Sequence, residues 1–459
     1  MEKRIRNILI VIFGVIFVLA IPLVILYCQG YRFDFETKKI IKTGGFAFKA
    51  QPKNCEIYIN DKLTKKTDFI FGEVFIKNLL PKKYNIKIKK NGFSDWEKNL
   101  EVKEKMVTEA KNVLLFPKEN NFSAFLPGID IENYYFSPDE NKIILKKNTE
   151  NTWELSVFNL ESKEEKLLLK EVEYFKQKGV AVLDLKWSSD SKKILLETQI
   201  KKEVKYFVID VLKENEEYIF SLDYSGKPKE ILFNNQNSQE LFFLKTTSTG
   251  TNLFKTNFYQ KSLSKLPIEN VISYQLSNGN IFWLDKDGFL SKSDLSGNNS
   301  EILNKESFPV EQGLEVEIKI LPNQKIFLNN KNGLYLFNPE TKIFEKILNS
   351  IKDLKFSPDS KNIYFSNNYE IWLSDQSLKE FLFLNRFSKK IDDIFWLNSD
   401  YLIFNTEEKI KISEVDPRDR INIVEIGNFE NPKIFWSQNH KTLYLLSKGS
   451  LYSLGNLVP

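Results

Sequence analysis

After residue 130 the chain repeats one pattern about eight times: an aromatic-ended strand, a polar turn, an apolar β-rich run and a further short apolar strand. The clearest copies are Tyr134-Tyr135-Phe136-Ser137-Pro138-Asp139, Leu185-Lys186-Trp187-Ser188-Ser189-Asp190 and Leu354-Lys355-Phe356-Ser357-Pro358-Asp359. Ile394-Phe395-Trp396 with Asp400, and Ile434-Phe435-Trp436-Ser437-Gln438, follow the same plan. Aligned on the aromatic position, the copies centre on Phe136, Trp187, Phe233, Leu276, Leu321, Phe356, Trp396 and Trp436, an average step of about 43 residues. Recurrence on this scale means one supersecondary unit stacked on copies of itself. Three or four short strands cannot bury a face alone, so the copies are expected to close into a ring.

The spacing inside each copy supports that reading. Seven residues after Phe136, Trp187, Phe356 and Trp436 come Ile143, Ile194, Ile363 and Leu443, each opening an apolar run. The intervening Ser-Pro-Asp and Ser-Ser-Asp segments suit tight turns, because Pro presets φ and Ser or Asp bonds nearby amides. Third strands are expected at Leu155–Val157, Phe207–Ile209, 334–336, 371–373, 410–412 and 451–454, and some copies add a fourth, as at Lys166–Leu169. Four strands per 43 residues is the spacing of a propeller blade. The last copy is one strand short. Residues 122–126 can supply it, which would pair the two ends of the repeat region and remove an open edge. The count is eight blades, with seven left open because the third to fifth copies are weak.

The N-terminus reads differently. Ile8–Tyr27 is twenty uncharged residues, mostly Ile, Val, Leu and Phe, about 30 Å as a helix, which matches the hydrocarbon thickness. Lys3, Arg4 and Arg6 precede it, so the positive-inside rule places Met1 in the cytoplasm and the bulk outside. A retained anchor is expected over a cleaved leader: the apolar core is long and no small-x-small site follows. Tyr27 before Cys28 also argues against a lipoprotein signal. The expected organisation is a cytoplasmic tip and transmembrane helix over 1–28, a linker over 29–43, a small β-sandwich over 44–116 and a β-propeller over 117–459.

Residues 44–116 alternate as an antiparallel β unit. Phe46, Phe48 and Ala50 face one way, Ile57 and Ile59 precede an Asn60-Asp61 turn, and Tyr84, Ile86 and Ile88 alternate with Asn85, Lys87 and Lys89. Asn91-Gly92 supplies a turn before Trp96, Leu100 and Val102, and Val113–Phe116 is the expected closing strand. Gly45-Phe46-Ala47-Phe48, Pro52-Lys53-Asn54-Cys55, Ile57-Tyr58-Ile59-Asn60-Asp61, Leu79-Leu80-Pro81-Lys82-Lys83-Tyr84 and Asn91-Gly92-Phe93-Ser94-Asp95-Trp96 together resemble the PEGA domain, a small extracytoplasmic β-sandwich. The signature departs from the family where Lys, Asn and Cys follow Pro52. The resemblance implies that Cys55 replaces a small inward Ala and that the domain binds protein or envelope polymer, with no catalytic residues to carry over. The Ser-Pro-Asp turns, over some 330 residues, resemble TolB-type and WD-like propeller repeats, a likeness of fold.

Charge and rare residues bound the chemistry. The net charge is +5, yet residues 1–43 hold seven Lys/Arg against three acids and 44–116 hold fifteen Lys against nine. The propeller region therefore carries an excess of five acids, which disfavours nucleic acid as a partner. The basic excess sits where anionic lipid or wall polymer would be met, although a solvated lysine face suffices to explain it. Two cysteines, Cys28 and Cys55, make no disulfide framework. The single histidine, His440, sits at a loop tip and is expected to be solvated, so neither a zinc site nor a Ser-His-Asp set is available. Asp285-Lys286-Asp287-Gly288 resembles a calcium loop but lacks its later ligands, and reads as a hairpin turn. Asn133, Asp184, Asp353 and Asp393 recur three residues before the aromatic anchor and read as structural loop residues.

No catalytic, cofactor-binding or metal residue is assigned, and no cofactor is expected. The expected function is a membrane-anchored, non-enzymatic binding or scaffold protein of the bacterial cell envelope. Its partners would be the membrane, through the N-terminal helix, and an envelope protein or cell-wall polymer. The alternative is a hydrolase of envelope glycan or peptide using paired propeller carboxylates. Oligomeric state is not legible.

Overall fold

A computed structural model describes residues 3–126, 130–213, 219–222, 228–311 and 313–458, with side chains from residue 10 onward. Lys3, Arg4 and Arg6, on which the orientation rests, thus have side chains outside the described part. Helix α1 (Lys3–Cys28) contains Pro22, and nothing among the described residues buries its apolar residues from Ile10 on. By length and composition it can cross a membrane, a test that a leader sequence also passes.

Within residues 29–43, the expected linker, the chain pairs with itself. Strands β1 (Tyr31–Asp34) and β2 (Lys39–Lys42) form a hairpin. Its turn is set by Asp34, whose carboxylate accepts the Glu36 amide and the Thr37 hydroxyl, and by Lys38 in the left-handed region. The side-chain bond from Thr37 is the main reason the Asp34 carboxyl sits below its ordinary value.

The following domain has two facing sheets. One contains β3 (Gly44–Gln51), and the other contains β4 (Glu56–Ile59) and β5 (Lys62–Lys66). Strands β6 (Glu73–Leu79), β7 (Lys83–Lys89), β8 (Trp96–Glu101) and β9 (Val107–Leu114) complete them in the orders β6-β3-β9 and β5-β4-β7-β8. Phe46, Phe48, Ile57, Ile86, Ile88 and Trp96 form the shared core. The unit is not wholly antiparallel: β9 starts earlier than the 113–116 expectation and runs parallel to β3. Parallel pairing follows from geometry, because the chain re-enters the first sheet after crossing the second and needs no hairpin there. Cys55 packs in this core with its thiol pushed up to about 11 by burial.

Among the described residues eight four-stranded antiparallel sheets follow, drawn from 131–170, 181–221, 229–265, 271–302, 317–348, 353–386, 391–428 and 433–455; the eighth is completed by β10 (Ser123–Leu126). In the eighth, β10 pairs with the last strand, Ser450–Gly455, so the start of the repeat region seals its end. The apolar packing runs in a cycle. Leu155 and Leu185 join sheets one and two, and Ile231 and Val208 join three and two. The same holds through each successive pair, until Tyr134 and Ile143 of the first sheet meet Tyr444 and Leu451 of the eighth. Each sheet thus buries both faces against neighbours, which a free four-stranded sheet cannot do.

The aromatic anchors lie at or just before the ends of the inner strands and tie sheets together. The Trp187 indole N–H donates to the Tyr135 carbonyl of the sheet before it at 3.1 Å, and Trp396 donates to Lys355 in the same way at 3.0 Å. The buried Trp436 indole has no such acceptor among the described residues. Beyond the anchors, the turn serine donates to the turn aspartate: Ser137 to Asp139, Ser188 to Asp190, Ser357 to Asp359. Each turn also reaches the next sheet, through Ser191 to the Asp139 amide, Ser238 to the Asp190 carboxylate and Ser399 to the Asp359 amide. His440 is exposed and bonds the Glu140 carbonyl through Nε2 at 3.0 Å, so it helps close the seam between eighth and first sheets.

The sandwich is docked on sheet seven by its β8/β9 edge. Lys98, fully buried, donates to the Glu414 carboxylate at 2.9 Å and to the carbonyls of Asp416 and Arg418 at 2.7 and 2.8 Å. Glu414 also accepts the Trp96 indole and both the backbone and side-chain N–H of Asn422. Arg420 pairs with Glu97, and the Leu114 amide donates to the Tyr401 hydroxyl at 2.9 Å.

Candidate functional site: one mouth of the ring

The inner strands of the eight sheets begin at one mouth of the ring and end at the serine–aspartate turns of the other. Near their starting ends a β-bulge recurs, at Ile131/Asn133, Val182/Asp184, Lys229/Leu232, Val271/Ser273 and Ile391/Ile394. A bulge leaves a ladder N–H without its strand partner. Asn133, Asp184 and Asp353 each accept the next residue's amide at 2.8–2.9 Å, while Asp393 accepts the Ile434 amide of the next sheet at 3.1 Å. Tyr364 donates to Asp353 at 2.6 Å, and the Lys433 ammonium bonds Asn133 and lies 5.2 Å from the Tyr134 ring centre. These four recurring residues are therefore occupied in holding the inner strands. Burial raises the Asp393 carboxyl and depresses the Lys433 ammonium.

At the same mouth lies a cavity of about 1400 Å³, walled by sheets three, four and five, with Lys186 reaching in from sheet two. Its polar lining carries both signs: Lys229, Glu230, Glu311, Glu315 and Lys331, with Asn329 and Asn330 between them. Beside it a recess of about 50 Å³ is lined by Asp184, Lys186, Glu197, Tyr206 and Glu230. Glu230 is an exposed residue at the rim. Partial desolvation there, assisted by Glu315, raises its carboxyl to about 6. Glu197 is also raised, first by burial and then by Asp184, and its neighbour Tyr206 is pushed up to about 12 by burial. A raised carboxyl can hold a proton near neutrality and donate it or a hydrogen bond.

Asp285, Asp287 and Gly288 form a hairpin turn: the Asp285 carboxylate accepts the Asp287 and Phe289 amides and its carbonyl accepts that of Gly288. Among the described residues no three His, Cys, Asp or Glu side chains are placed to hold a metal ion. Sequence reasoning did not single out Glu197 or Glu230, which lie outside any motif. Glu230 belongs to the weak third repeat, where it sits inside the Lys229/Leu232 bulge with a left-handed backbone (φ 50°).

No known family profile matches the sequence, and no curated protein matches it. Solved structures do resemble it. The C-terminal WD40 domain of Sif2 is 9% identical, covers 73% of this chain and 98% of its own length, and superposes with a TM-score of 0.50. The β-propeller domain of Cps50 (Swd1) from Myceliophteria thermophila is 11% identical over 73% of this chain and 99% of its own, with a TM-score of 0.43. At such identity the likeness to Sif2 establishes a β-propeller fold and nothing finer.

Proposed function

We propose that the chain is a single-pass, membrane-anchored scaffold of the bacterial cell envelope, with an eight-bladed TolB-like propeller held outside the cell on a PEGA-like sandwich. The propeller presents the cavity mouth to an envelope protein or glycan, and no reaction is needed for that role. The observation that carries this reading is the cavity of about 1400 Å³, lined by both signs of charge and amide groups, at one mouth of a closed ring. Mixed polar groups converging on a concave surface suit recognition of a polar ligand. The free-standing apolar helix supports the anchor, and the buried Lys98–Glu414 contact supports a ring held in fixed relation to the sandwich.

The test is capture of bound partners from detergent-solubilised cells with the intact chain, with residues 117–459 deleted, and with Glu315→Lys plus Glu311→Lys at the cavity. The deletion and the charge reversal should both lose the same bound set. An unchanged set would overturn the proposal.

A second reading, hydrolysis of envelope glycan or peptide, is favoured by one feature: Glu197 and Glu230 share a recess and both are raised. In that reading Glu230 is the acid, and Glu230→Gln abolishes turnover while leaving ligand capture intact.

A further inference from the structure

The two long edges of the sandwich differ sharply in what covers them. The β8/β9 edge is buried on the propeller, whereas the β5/β6 edge is free and every residue of β5 is exposed. Between β5 and β6 the chain presents Phe69, Ile70 and Phe71, which are 79%, 53% and 64% exposed. Three consecutive large apolar residues in water oppose the hydrophobic effect, and Leu63 and Phe75 on the flanking strands extend the patch.

The tip is held outward by polar bonds rather than left slack. The Asp68 carboxylate accepts the amides of Ile70, Phe71 and Glu73 at 2.8, 2.6 and 2.6 Å. The bond from Phe71 is the main reason its carboxyl is lowered. Gly72 closes the turn in the left-handed region (φ 73°), and a Cβ there would stand 2.5 Å from the Ala50 carbonyl. The local acids are spent: Glu73 pairs with Lys49, Glu56 with Lys66, and Asp61 with Lys87. Lys53, which packs against Gly72, and Lys62, Lys65 and Lys77 on β5 and β6 make no ion pair among the described residues. Lys65 bonds the Phe75 carbonyl and Lys77 lies 5.1 Å from the Phe75 ring centre, so unpaired cations line the edge behind the tip while Lys53 stands beside it.

We infer that this free edge is a peripheral membrane-contact surface, whose Phe69-Ile70-Phe71 tip enters the headgroup region of an anionic bilayer while the lysines meet lipid phosphates. Aromatic and aliphatic groups inserted about 5–10 Å, with cations above them, are the general form of interfacial binding. The inference rests on the reading of α1 as a membrane anchor, since the bilayer is the one that α1 enters. A second contact would fix the sandwich, and with it the docked propeller, at a defined angle to the membrane.

The experiment uses the full chain in lipid nanodiscs, with an environment-sensitive fluorophore on Ile70→Cys in a Cys28→Ser background. Native Cys55 is fully buried and stays unlabelled. Matching probes are placed on Phe17→Cys, within α1, and on Lys448→Cys, on the propeller surface. In anionic discs the probe at 70 should be blue-shifted and quenched by roughly twofold with spin-labelled lipid, and in zwitterionic discs it should not. Lys62→Glu with Lys65→Glu and Lys77→Glu should abolish that difference, and the probe at 448 should never be quenched. An unquenched probe at 70 beside a quenched probe at 17 overturns the inference and leaves the anchor standing. If the probe at 17 is also unquenched, the anchor reading fails with it. Shielding at 70 that appears only on adding cell protein assigns the edge to a protein partner and likewise overturns the inference.

Discussion

The two edges of the sandwich show opposite solutions to one problem. At the β8/β9 edge a charge is taken out of water, and Lys98 survives there because Glu414 and two carbonyls surround its ammonium. At the β5/β6 edge apolar groups are left in water, braced by Asp68 but covered by nothing among the described residues. A buried charge with full partners fixes orientation, because only one docking geometry satisfies every donor, whereas an uncovered apolar tip contributes nothing to folding. The docked edge belongs to the stability of the molecule, and the free edge to its contacts.

The largest effect that could break this contrast comes from Lys98→Ala. It strands the Glu414 carboxylate in the interface and should cost about 3–5 kcal/mol, read as a lower denaturant midpoint and faster proteolysis between the domains. A wild-type midpoint would mean that the edge is not truly docked. Tyr401→Phe takes the acceptor from the Leu114 amide and should cost about 1–3 kcal/mol in the same assay.

The cavity mouth supplies a third region against which to sharpen the contrast. Its Glu230 carboxyl is raised to about 6 from an ordinary 4.5, so ionising it disfavours the folded state. The stability it contributes is complete below pH 4.5 and is lost as pH rises through about 6. Wild type should therefore weaken relative to Glu230→Gln across that window, and parallel stability curves for the two proteins would refute the raised carboxyl. The smallest effect is expected at the free edge. Phe69→Ser with Phe71→Ser should move stability by no more than about 0.5 kcal/mol, and a large loss would show that the tip packs against something.

Much of the propeller was legible because its signals are local and repeated. The anchors at Phe136, Trp187 and Phe356 mark inner-strand ends by their spacing, and the Ser-Pro-Asp turns carry their own capping chemistry. The closing role of 122–126 also follows from counting strands, and β10 occupies that place. The hairpin at 31–42 was missed because it packs on no core, so its alternation leaves no buried face to detect. The interface was missed although a sign was present: Lys98 falls between Trp96 and Leu100 on the inward parity of β8, where a lysine demands a partner. The cavity mouth was missed for the opposite reason, since Glu197 and Glu230 look like ordinary strand acids among many.

By itself, then, the sequence determined the order of parts: an apolar span, a small β unit and a ring of repeated sheets. Each of these depends on periodicity or turn chemistry within some 50 residues, which a single chain displays in full. Tertiary structure alone decided which carboxylates become enclosed, that Lys98 finds Glu414 more than three hundred residues away, and that one sandwich edge is covered while the other stays bare. Those outcomes depend on distances between segments remote in the chain. Burial and electrostatics act through space and leave no periodic trace in the order of residues.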